Sequence, residues 1–454
     1  MIKRLAVLLL MGLFFFGISY VLAGVLEKPL TLEEAISTAL KNNPNLESMV
    51  KSVQESQYMH SAAAKEWLPT LSTDYSFTVF VKKPYMYDTS SGEKFALADY
   101  TSYLWGTHVK MPLYTGGAIQ YKETIERLGI DISRLKFLEA KADLIQEVTI
   151  NYFNVLRLKN SLATVKENLK RYQQHEVLTK EYFSAGLVPK NSFLEIQAKK
   201  ADASQDEIVV NKDLKLAEAA LNVSMGIDID AHFKLLDDFS FREAPYSLDD
   251  CFGVAKKQNP SYVAFSYMQK RAQKVMELEK TESRPKLFAK FSFYKHGKTP
   301  ALKVDDYVTN YNLTGQIVAD WDVFDWFKTR DRANARKMEL EKLIAEQKST
   351  SNKIALDIRE SYLNLAAARD KFRAVKLEKK FAQENYRVAR LRYKERVAKS
   401  TEVNDALVLL RQAEFSYFLA AFEYSVALAR LERVTGANIN LEEDFSKTKR
   451  KNNG

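Results

Sequence analysis

The chain has 454 residues, 46% of them hydrophobic and 28% charged, which excludes general disorder and leaves length for several domains. A single cysteine, Cys251, excludes an intramolecular disulfide framework and any cysteine-built metal site. The formal charge of +10 is interspersed with acids rather than clustered, so nucleic acid is not the partner it implies.

The first residues, MIKRLAVLLLMGLFFFGISYVLAG, join a basic start to an apolar run that ends on small residues, predicting a secretory signal over 1–23 cleaved after Ala23. The rival reading is an uncleaved anchor of similar length. No cysteine follows the run, which argues against a lipid anchor. Further on, no apolar stretch approaches a bilayer-spanning helix, excluding an inner-membrane helical transporter.

TLEEAISTALKNNP, from Thr31 to Pro44, carries a hydroxyl cap, acids in the first turn and a helical run closing on Asn-Pro. From Leu71 the pattern changes to strand alternation: Leu71, Thr73, Tyr75, Phe77, Val79 and Val81 share one side, with Ser72, Asp74, Ser76 and Lys82 among those opposite. Strands are expected near 70–82 and 102–113, and again near 286–294 and 310–323. From Gly117 to Phe183, and from Phe327 to Tyr393, no proline interrupts a helical pattern, which allows rods of roughly 100 Å. In the second rod Ile358, Leu365, Phe372, Tyr386 and Tyr393 hold a heptad position that Lys379 breaks, and Val148, Val155, Leu162 and Leu169 hold its counterpart in the first. Each rod turns, at Gly186-Leu187-Val188-Pro189 or Arg396-Val397-Ala398-Lys399, and a second helix returns to Gly226 or Gly436.

The chain reads as two copies of one design. SLDDCFGVAKKQNP, from Ser247 to Pro260, repeats the opening motif, and Pro69 and Pro285 stand 216 residues apart. After one short length change, Tyr114 and Phe324, Tyr152 and Tyr362, and Gly226 and Gly436 each stand 210 apart. The first repeat is expected over 24–240, the second over 241–440, and a disordered basic tail over 441–454. Two long copies are too few for an open solenoid and point to a symmetric wall. Four strands, apolar on one side and polar on the other, have the pattern of a membrane barrel with a wet interior, against the rival of two ordinary soluble hairpins. Four strands cannot enclose water and open edges are not tolerated in lipid, so the membrane reading requires oligomerisation.

The segments LTLEEAISTALKNNPNL, PLYTGG, YFSAGLVPKNSFLEIQAKKADA and ALARLERVTG, in this order and duplicated, resemble the TolC-type outer-membrane efflux family over nearly the whole mature chain. The resemblance implies a homotrimer combining a long coiled-coil α-helical periplasmic barrel with a 12-stranded outer-membrane β-barrel, four strands from each chain. It also implies passive conduction from an inner-membrane pump through a periplasmic adaptor, and contact with outer-membrane lipid. The family narrows its tunnel with acidic rings in a D-V-L-D-A segment. EVNDA stands there, making Glu402 and Asp405 constriction candidates, with Glu195 as the match to Asp405 in the first half. Read without the resemblance, these acids fit a solvated helix face equally well.

Tyr393 occupies the place of the family's gating tyrosine, but Ala398 stands where its arginine would be and Ser192 where the acid would be. Either Lys190, Asn191 or Arg396 supplies other closing contacts, or the tip rests more open. Gly186, Leu187, Arg396 and Val397, at the two turns, are the adaptor-docking candidates.

The five histidines, His60, His108, His175, His232 and His296, have no ligand spacing, TGGA at Thr115–Ala118 lacks the rest of a phosphate loop, and nothing groups Ser, His and Asp. No metal, cofactor or catalysis is expected. A type I protein-secretion duct, or a secreted periplasmic coiled-coil adaptor or scaffold, are the alternative functions.

Overall fold

The computed structural model describes residues 29–96, 100–236, 239, 247–304, 309–441 and 443–444. The expected signal segment and most of the basic tail lie outside the described residues. The elements are α1 (Leu32–Asn42), α2 (Pro44–Ala64), β1 (Thr70–Val79), β2 (Tyr85–Tyr87), β3 (Lys94–Ala96), β4 (Thr101–Tyr114), α3 (Ala118–Ser184), α4 (Lys190–Met225), α5 (Leu248–Gln258), α6 (Pro260–Lys280), β5 (Lys286–Gly297), β6 (Tyr311–Asp320), α7 (Lys328–Lys394) and α8 (Ser400–Thr435). Two compact units result: one takes Leu135–Val263, the segment up to Val50 and the chain from Thr350, the other Lys51–Arg134 and Ala264–Ser349.

The second unit holds a four-stranded antiparallel sheet in the order β1-β4-β5-β6, with β2 and β3 forming a separate short hairpin. Its register places the alternation of each strand in phase: Ser72 opposes His108, which opposes Ser292, which opposes Thr314, while Leu71 opposes Val109 and Phe291 opposes Gly315. Every residue of β1 is exposed, so among the described residues neither face of this edge strand is covered. The strand expected near 310–323 stops at Asp320, whose rung with Lys286 is the last. Pro285, next along, has no amide hydrogen to continue the ladder. The strand expected near 70–82 likewise ends at Val79, short of Pro84.

In the first unit the two repeats build the same core twice. Ala35 and Ala39 of α1 pack with Val148, Tyr152 and Val155 of α3 and Ala217 and Leu221 of α4. Cys251 and Ala255 of α5 pack with Ile358, Tyr362 and Leu365 of α7 and Ala427 and Leu431 of α8. Cys251 thus fills the place of Ala35, and burial pushes its thiol pKa up.

Asn43 and Asn259 explain why the opening motif recurs. Asn43 Oδ1 accepts from the N–H groups of Asn45 and Leu46, capping α2 with Pro44 at its first position, while its Nδ2 donates to Ser224 O at 3.0 Å. Asn259 caps α6 through the Tyr262 N–H and donates to Val434 O at 2.8 Å. Each asparagine therefore starts one helix and receives the end of another, α4 at Gly226 or α8 at Gly436, both left-handed.

The heptad break at Lys379 is accommodated rather than exposed. Its ammonium lies 4.2 Å from the Tyr417 ring centroid and 5.0 Å from that of Phe418, so the rings of α8 take the cation. Burial lowers its pKa. At the turn from β6 into α7 the halves differ: Gly116 and Gly117 have φ of 65° and 94°, and their counterparts Trp326 and Phe327 hold 55° and 64°. Two bulky side chains in a glycine conformation are strained. Here they form an exposed aromatic cluster with Phe324, at 5.1 and 5.7 Å between centroids. No helix among the described residues is long and apolar enough to cross a membrane.

Candidate functional site

The tip of the helical unit is made by two hairpins, α3-α4 and α7-α8, each closed by a Schellman turn. Leu187 N–H donates to Tyr182 O and Gly186 N–H to Phe183 O; Val397 N–H donates to Arg392 O and Arg396 N–H to Tyr393 O. The left-handed residue is Gly186 in one turn and Arg396, φ 63°, in the other. The Arg396 guanidinium lies 5.6 Å from the Tyr182 ring centroid, tying the second turn to the first hairpin. Arg396→Gly removes about 1 kcal/mol of backbone strain and also this contact. Thermal melting of the variant should therefore be unchanged or slightly raised. Leu187 and Val397 are exposed, 53% and 69%, on the outside of the turns.

The expected gate residues hold different positions. Glu402 caps α8, its Oε1 accepting from Lys399 N–H at 3.1 Å and its Oε2 from Arg392 at 3.3 Å, so its charge is answered within its own hairpin. Glu195 accepts from Asn404 Nδ2 at 3.1 Å, linking α4 to α8. Asp405 is exposed and has no hydrogen-bond or ion-pair partner among the described residues. Tyr393 is buried, its hydroxyl 3.3 Å from Thr179 Oγ1 and its ring against His175 and Tyr182. Of the alternative closing residues, Asn191 makes a local bond to Ser192 N–H, and Arg396 reaches across to Tyr182.

Further contacts that residue spacing alone does not reveal join the hairpins. Arg171 pairs with Glu414 at 3.3 Å and Arg390 with Gln174 at 3.2 Å, while Arg411 reaches Asp206. His175 is also buried here, its Nε2 3.0 Å from Ser400 Oγ. The signal for it was a stripe of Ser161, Asn168 and His175 at seven-residue spacing, all buried. Burial lowers the His175 pKa from 6.5 to about 4. Below pH 6.5 the unfolded chain takes up a proton that the buried ring refuses, so stability falls as pH drops toward the folded value, by about 3 kcal/mol at the limit. His175→Gln, which retains a partner for Ser400, should flatten the acid limb of a stability–pH curve measured by denaturant titration.

On the polar side of the sheet, Asp74, His108 and Ser292, ungrouped in the sequence, come together across three strands. His108 Nε2 lies 2.7 Å from Asp74 Oδ1 and its Nδ1 3.0 Å from Ser292 Oγ. Gly106 makes the room, since a Cβ there would sit 2.6 Å from the His108 ring and 2.8 Å from Asp74. The order Asp-His-Ser is that of a hydrolase, but Ser292 lies in a strand paired on both sides, so its flanking amides are engaged and form no oxyanion hole. The arrangement stitches β1, β4 and β5. Among the described residues no group of three or more His, Cys, Asp or Glu side chains is placed to hold a metal.

A sheet with an apolar face and two edges unpaired among the described residues, in a chain built from two like halves with long helical hairpins, has the form of one segment of a channel wall. The outer membrane efflux protein model matches residues 35–227 and again 253–437, and the chain belongs to that family. It is an outer-membrane efflux channel with a large periplasmic helical portion. No curated protein matches the sequence. Among solved structures it is similar to the Campylobacter jejuni CmeC outer membrane channel, with a TM-score of 0.78 and 15% identity over 92% of this chain and 88% of that one. It is also similar to the outer membrane protein VceC of Vibrio cholerae, TM-score 0.73, 13% identity, 89% and 96% covered. For the open state of the Neisseria gonorrhoeae MtrE outer membrane channel the values are 0.72, 17%, 89% and 88%.

Proposed function

We propose that three copies of this chain form the exit duct of a tripartite efflux system, with a periplasmic adaptor docking at the turns around Gly186-Leu187 and Arg396-Val397 and an inner-membrane pump supplying the energy. The duct itself is passive and performs no chemistry. The open sheet carries the reading: among the described residues β1 and β6 are both unpaired edges, and Leu71, Phe77, Phe291, Leu313 and Ile317 are exposed on one face. Such a sheet is stable in lipid only when other copies complete it. The first repeat runs over 24–240 and the second over 241–440, each giving one hairpin of strands and one of long helices.

Glu402, Asp405 and Glu195, repeated by threefold symmetry, form the constriction, while Tyr393 holds the two hairpins of one chain together behind it. Trp326 and Phe327, exposed where β6 turns into α7, are aromatic side chains of the kind that favours the membrane interface. Planar-bilayer recording on the detergent-purified protein, with its mass by light scattering, tests the proposal. A conducting trimer is expected; a soluble monomer that forms no channel overturns it.

A further inference from the structure

We propose that Lys110 and Lys290 form a cationic station on the polar face of the sheet that binds anionic solutes in the lumen. The inference rests on the reading that this face lines the lumen.

Lys110 of β4 and Lys290 of β5 oppose each other in register, in a row completed by Thr70 and Gln316. Like charges set directly opposite on neighbouring strands are destabilising. The row holds no acid, and neither lysine has an ion-pair partner among the described residues. Elsewhere in the paired strands on this face Asp74 is answered by His108 and Lys286 by Glu282 at 2.8 Å, with Asp320 opposite Lys286 in register.

The cleft of about 490 Å³ beside this row repeats the pattern. Each of its carboxylates has a cation of its own: Glu66 has Lys122 at 2.9 Å, Glu282 has Lys286, and Glu279 has Arg336 at 3.2 Å. Lys110, which also lines the cleft, has none; its Nζ lies 4.1 Å from the Phe288 ring centroid. An ammonium held by a ring face and facing an unneutralised ammonium across one rung is short of an anion. Carboxylate or phosphate oxygens supply it, and an aromatic ring beside the cation suits an amphiphilic anion.

Sodium tripolyphosphate, added to each side in turn during planar-bilayer recording of the full trimer, is the probe. Wild-type current should be blocked, and the double variant Lys110→Gln/Lys290→Gln should need at least ten times more tripolyphosphate for the same block. Lys110→Arg/Lys290→Arg should retain the block. A conducting wild type that tripolyphosphate does not block, or a Gln variant blocked as readily as wild type, overturns the station while the duct stands. A wild type that conducts nothing overturns the duct reading and the station with it.

Discussion

Gly436→Ala and Gly226→Ala are expected to be the most destabilising single substitutions in the helical unit, each costing about 3 kcal/mol or more. Two independent penalties combine. Both residues are left-handed, φ 77° and 68°, where a Cβ meets the following carbonyl. A Cβ at Gly436 would also sit 2.4 Å from Gln258 O, and one at Gly226 would sit 2.5 Å from Asn42 O. These atoms are backbone, at the Asn-Pro breaks, and cannot swing aside as a side chain would. Relief requires parting the two helix ends, which would strip Asn43 from the buried Ser224 O or Asn259 from the part-buried Val434 O and leave the carbonyl unpaired.

Gly186→Ala separates the two penalties. Gly186 is left-handed at φ 68°, yet nothing lies within 4 Å of where its Cβ would be. Only the conformational cost of about 1–2 kcal/mol applies there. Denaturant melts of the three alanine variants should therefore place Gly186→Ala clearly above the other two. Equal losses at all three positions would mean that the close approach of Gly226 and Gly436 to the Asn-Pro segments is not what holds the ends together.

The repeat, the four main strands and the long helices were legible because each rests on local chemistry: period two against period 3.6, proline punctuation, and two copies to compare. What was not legible depends on register and distance. That Asn43 serves Ser224, or that Asp74 meets His108 and His108 meets Ser292, follows only once strand pairing and helix ends are placed. Strain at Trp326, Phe327 and Arg396 was hidden for another reason, since residue type argues against a left-handed conformation there. The repeat held the signal, because their counterparts are Gly116, Gly117 and Gly186. Tyr393 was placed by resemblance at a gate; its burial against Thr179 and His175 follows from packing that the heptad pattern only outlines.

Asp405→Asn is expected to weaken block by divalent cations about tenfold, and Glu402→Gln much less. Sequence alone ranks the two acids together, both in EVNDA, but their surroundings separate them. Glu402 already spends one oxygen on the Lys399 amide and the other on Arg392, so a passing cation meets a carboxylate whose charge is largely balanced. Asp405, one turn further along α8, is exposed and has no partner among the described residues. In the proposed constriction three such carboxylates would attract a multivalent cation far more strongly than one does, and water would screen them least where the passage is tightest. Glu195, its counterpart in the first half, has half its capacity taken by Asn404 Nδ2 and should give an intermediate effect as Glu195→Gln. The measurement is the concentration of magnesium or cobalt that halves the single-channel current when added from the helical side, compared across the three variants. An order in which Glu402→Gln matches or exceeds Asp405→Asn would mean that the Arg392 pair opens in the conducting trimer, and that the constriction is not built as the single chain presents it.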